Sequence, residues 1–166
     1  TKAIAPVPSA PATADPPASS AAGEAASNAQ VRLRFSGDCS PSFRGQITVG
    51  GNDSAVLVHA IEGARMTGNV TVAACRGTGR YELGSMEAAQ RGVSVSVAQG
   101  MRMWSVIPNV AAQPGQALNG GHLVVTRSDC GRGIMEARFE NAVLVNPTRT
   151  GTCTVNGSLR TTGSDL

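Results

Sequence analysis

Val93-Ser94-Val95-Ser96-Val97 alternates apolar and polar residues without a break. A period of two belongs to a half-buried β-strand, whose side chains point in turn to core and solvent. Val31-Arg32-Leu33-Arg34-Phe35 has the same period, as do Gln46-Ile47-Thr48-Val49 and Asn69-Val70-Thr71-Val72. Ala55-Val56-Leu57-Val58 and Ala142-Val143-Leu144-Val145 are apolar throughout and read as central strands. Further strands are expected over 79–83, 101–107, 122–127, 134–140 and 152–160.

The breaks between these runs suit tight connections. Gly50-Gly51-Asn52-Asp53 separates two strand candidates and accepts positive φ at low cost. Residues 108–121 hold two prolines and three glycines and read as a long surface loop. One short helix is expected over 85–92, with Ser85 as its N-cap and Gly92 as its stop. Eight to ten short strands at this spacing predict an all-β fold, an antiparallel sandwich or a small barrel.

Residues 1–30 have a different texture, with eleven Ala, five Pro, four Ser and no aromatic ring. Such a segment buries too little apolar surface to offset an ordering entropy of about 1–2 kcal/mol per residue. It is expected to be a disordered linker, and 31–166 the folded domain. The start at Thr1 shows no basic, apolar leader and reads as the beginning of a mature or truncated chain. An Ala/Pro/Ser tether of this kind resembles the spacer that follows the lipidated cysteine of bacterial lipoproteins. That resemblance covers the tether alone and implies a membrane attachment only through a lipid lost from the N-terminus.

Thirteen of the 14 basic residues are arginine, a bias expected of a GC-rich bacterial gene. Against 11 acids the excess is too small for a nucleic-acid footprint, and single-strand readers stack bases on rings that this chain scarcely has. One Trp, one Tyr and three Phe also make the core thin in aromatic area.

Disulfides would strengthen such a core. Cys39, Cys75, Cys130 and Cys153 include no Cys-x-x-Cys pair, and His59 and His122 stand apart from all four. No metal or other cofactor is therefore expected, and an even count points to two disulfides and an extracytoplasmic home. Three pairings are possible. The sequential one, 39–75 with 130–153, would close loops worth about 3–4 kcal/mol each.

A catalytic constellation is not visible. There is no Gly-x-Ser-x-Gly elbow, no zinc-protease helix and no phosphate loop. His59 reads as a strand residue at the core edge or on a sheet surface. His122 follows Gly120-Gly121 at a loop-to-strand junction, a better place for function. The arginines are the other candidates for binding. Arg32 and Arg34 share one face of the first strand, Arg127 and Arg132 flank Cys130, and Arg76 and Arg80 follow Cys75. Brought together, these would grip phosphate or carboxylate with their planar forks.

The expectation is a non-catalytic domain of the bacterial cell envelope, periplasmic, outer-membrane or surface-exposed. Its partner would be another envelope or surface protein, or an anionic envelope component. An exposed edge strand completed by a neighbour would make it an oligomer. A second reading is a small-ligand or glycan-binding module with Trp104 and the 108–121 loop at its rim. A third is a hydrolase using His122 with Asp129 or Glu136.

Overall fold

The computed structural model describes residues 28–165, so most of the linker assignment lies outside the described residues. Ten antiparallel strands run in chain order: β1 (Ala29–Gly37), β2 (Gln46–Gly51), β3 (Val56–Glu62), β4 (Arg65–Ala73), β5 (Gly79–Glu82), β6 (Ser94–Gln99), β7 (Arg102–Ser105), β8 (Gly120–Asp129), β9 (Ile134–Val145) and β10 (Thr152–Thr162). The helix α1 (Met86–Gln90) separates β5 from β6. Its Ser85 hydroxyl accepts from the Ala88 N–H at 3.1 Å, the N-cap read from the sequence. The first strand begins two residues inside the segment assigned to the linker. The runs 134–140 and 142–145 merge into one twelve-residue strand.

The strands form one sheet, curled into a half-barrel, that forks at β9. On one edge β9 pairs with β10, and β10 with β1. On its other edge most of β9 pairs with β8, which carries β5, while Val145 alone pairs with Ser105 of β7. From β7 the second wing continues through β6, β4, β3 and β2. The inward residues of both wings build the core: Trp104, Phe139, Leu83, Leu123, Met135, Leu144 and Leu159 are almost wholly buried. Phe43, on the connection after β1, is fully buried in this core and stacks on Phe35 with ring centroids 6.0 Å apart. Four of the five aromatic rings are thus buried, and valines fill most of the remaining strand positions.

The free edge of β2 is covered by the segment that follows β10. The Asp165 N–H donates to the Val49 carbonyl, and its carboxylate accepts from the Val49 N–H, both at 2.8 Å. The same carboxylate takes the Asn28 amide at 2.8 Å, tying the start of β1 to β2. Gly51 is required here because a Cβ would run into the Cys130 carbonyl.

Two disulfides close the cysteine count, in the nested pairing Cys39–Cys153 and Cys75–Cys130 rather than the sequential one. The first lies just past the β1–β10 ladder, where Gly37 is opposite Cys153. The second joins the chain after β4 to the turn between β8 and β9, and so ties one wing to the other. Spacing could not choose this pairing because it depends on which strands become neighbours. Both bonds are compatible with an extracytoplasmic location.

The 108–121 loop is less free than its composition implies. Arg149 is buried, and its guanidinium donates to the Ala117, Ile107 and Pro108 carbonyls at 2.9–3.0 Å. Replacing Arg149 with Met should cost about 2 kcal/mol, since three carbonyls lose a charged donor while one buried charge is relieved. Urea unfolding reads the loss, and hydrogen exchange should rise first at Ala112 and Ala117. An unchanged midpoint would contradict the pinning role.

Candidate functional site

The outer face of the β1-β10-β9-β8-β5 wing carries the largest assembly of charge in the described fold. Strand alternation puts Val31, Leu33, Leu123, Phe139 and Leu159 inside, so the residues between them point outward. Register then sets the rows. Arg32 lies opposite Ser158, Ser158 opposite Arg138, Arg138 opposite Val124, and Val124 opposite Arg80. With strands about 4.8 Å apart, three arginines recur about every 10 Å across five strands. A second row runs from Gln30 through Arg160 and Glu136 to Arg127. On the other side Glu82, His122 and Glu140 form a row that points toward Arg34.

Two glutamates hold this array in shape. Glu140 receives Arg138 at 2.9 Å and Arg80 at 3.0 Å. Glu136 lies between Arg160 at 3.5 Å and Arg127 at 3.9 Å. The hydrogen bonds from Arg138, then those from Arg80, hold the Glu140 carboxyl below the ordinary carboxylate range. A depressed pKa adds stability above the unfolded value, lost only as pH falls through the lower folded one. The bracing of Arg80 and Arg138 therefore persists into acid where a free glutamate would be neutral. Among the described residues of this face, six arginines stand with three glutamates, Glu82, Glu136 and Glu140.

Of the residues singled out from the sequence, Arg32, Arg34, Arg127 and His122 meet on this face. Arg132 does not: it sits on the turn after β8, 3.6 Å from Asp129. Arg76 reaches that end through the Cys75–Cys130 bond, whereas Arg80 turns to Glu140. Arg138 and Arg160 join this face without having been singled out by the sequence, where their one signal is that they are polar positions of the alternating runs Glu136-Ala137-Arg138-Phe139-Glu140 and Ser158-Leu159-Arg160.

Trp104 is not a rim residue. It points inward from β7, is 2% exposed and lies under the Arg102 guanidinium, 4.8 Å from the ring centroid. The Arg102 Nη2 also donates to the Asp38 carbonyl at 2.8 Å. A groove of about 550 Å³ runs beside it between β7 and the 146–151 turn, but the ring face is already covered and offers no platform for a sugar. The pair His122 and Asp129 is not assembled either. Seven positions along β8 separate them, about 23 Å in an extended strand. Glu136 is opposite Arg127, and the carboxylates across from His122 are Glu140 and Glu82. Among the described residues no group of three His, Cys, Asp or Glu gathers as a metal centre.

Comparison of the chain with protein-family models, with curated proteins and with solved structures returned no match.

Proposed function

We propose that this protein is a non-catalytic binding module of the bacterial cell envelope, carried on its N-terminal Ala/Pro/Ser segment, that docks an anionic envelope component on the arginine face. The observation that carries this reading is the row Arg32, Arg138 and Arg80 across five strands, in which Glu140 braces Arg138 and Arg80. A broad outer strand face with guanidinium forks at regular spacing suits a repeating polyanion, such as a phosphate- or sulfate-bearing glycan, better than it suits a small molecule in a cleft. The two disulfides support a home outside the cytoplasm, and the Arg-rich, Ala-rich composition supports a bacterial source.

Binding to immobilised dextran sulfate, with uncharged dextran as control, tests the reading. The protein should bind the sulfated polymer at low salt and lose at least about tenfold in affinity at 0.5 M salt, where the Debye length shrinks to about 4 Å. The double change Arg32→Ser, Arg34→Ser should weaken binding about tenfold, while Arg44→Ser, on the connection after β1, should not. Equal retention on both polymers, or indifference to the double change, would overturn it.

A further inference from the structure

The other wing carries a different chemistry on its outer face. His59 of β3 lies opposite Asn69 of β4, Asn69 opposite Ala98 of β6, and Ala98 opposite Met103 of β7. Asn69 is oriented by Thr71, whose hydroxyl donates to Oδ1 at 3.1 Å. Its amide nitrogen therefore turns toward two lone pairs, the His59 Nδ1 at 2.9 Å and the Met66 Sδ at 3.9 Å. An imidazole nitrogen and a thioether sulfur thus converge on one point, filled by a donor with two hydrogens. Met103 shares this face but lies two strands from Asn69, about 10 Å away, whereas Met66 is close to half exposed and leaves the point open to solvent.

We propose that His59 and Met66 bind a soft monovalent cation, copper(I) or its d¹⁰ equivalent silver(I), as a two-coordinate pair at the position the Asn69 amide nitrogen now holds. Thioether and imidazole donors select such ions over zinc, calcium or magnesium. Metal–donor bonds of about 2.0 Å to nitrogen and about 2.3 Å to sulfur require His59 to draw in by about 0.9 Å and Met66 by about 1.6 Å, which a methionine with three rotatable bonds does readily. Asn69 then swings aside. Thioethers also suit a chain whose cysteines are all oxidised, because the thiolates that would otherwise take a soft ion are absent. This site is on the wing opposite the arginine face and is independent of it.

Silver(I) nitrate is the probe, in chloride-free buffer without reductant, so the disulfides stay intact. Calorimetry should show one ion per chain. In protein labelled at the methionine methyl carbons, the Met66 signal should shift, and those of Met86, Met103 and Met135 should not. Met66→Leu and His59→Gln should each weaken binding at least tenfold with an unchanged thermal midpoint, and Met86→Leu should leave it intact. The proposal is overturned by absent saturable binding, by equal binding of zinc(II), by unaffected His59→Gln and Met66→Leu variants, or by equal shifts at Met86. Any of these would leave an ordinary amide–imidazole hydrogen bond.

Discussion

Removing the Cys39–Cys153 bond by the double change to alanine should cost about 5 kcal/mol, the largest loss of any paired change in the fold. The bond spans 114 positions, and tethering chain ends that far apart removes more unfolded-state freedom than any shorter loop. The Cys75–Cys130 bond spans 55 positions and should be worth about 4 kcal/mol on the same reasoning. Against a total of about 5–15 kcal/mol, losing the first leaves the domain near its limit. The thermal midpoint should fall by about 15 °C for a chain of this size. Substituting both partners avoids a lone reactive thiol. Thiol alkylation of the denatured, unreduced protein should add no mass to the parent and none to the variant. A fall of less than about 1 kcal/mol in urea would show that the unfolded chain already keeps these two positions close without the bond.

Asn119→Leu should be nearly as costly, at about 3–4 kcal/mol, although it changes a single loop residue. The fork at β9 leaves a gap where β7 and β8 diverge, and the Asn119 amide fills it. Its nitrogen donates to the Ser105 and Val143 carbonyls, both at 3.0 Å, and its oxygen accepts from the Ile107 N–H at 2.9 Å. Asn119 is 5% exposed, so water cannot replace these partners in the variant. The backbone of Asn119 is held in turn by Asn109, whose side chain bonds both its N–H and its carbonyl. Leucine is close in volume, which confines the effect to lost hydrogen bonds rather than a cavity. Asn119→Asp should be worse, since a carboxylate would face two carbonyl oxygens. If Asn119→Asp unfolds at the parental urea midpoint, the gap is bridged by something other than this amide.

These two changes show what was legible. All four cysteines were readable as disulfides, because an even count without metal spacing needs no knowledge of the fold. Asn119 was not readable as a joint. In the sequence it precedes Gly120-Gly121 and looks like any hairpin residue. Only the divergence of β7 from β8 makes its amide the donor for two strands. Trp104 was misplaced for a related reason. The sequence reading sets it at a rim with the 108–121 loop, whereas the parity of β7 sends it inward and sends Met103 out. His59 was read as a surface or edge strand residue, and the structure places it on the outer face beside Asn69.

By itself the sequence determined the class of the fold, because a period of two is a local property that each strand carries in its own residues. It also determined the cap of α1 at Ser85 and the oxidised state expected of the cysteines. The order of strands, the nested disulfides and the membership of the arginine face were decided only in three dimensions. Arg32, Arg80 and Arg138 are far apart in the chain and each looks like an ordinary solvating residue of its own strand. They become one row because β10 and β8 fall on either side of β9, and that choice depends on the long-range closure of the sheet rather than on any local pattern.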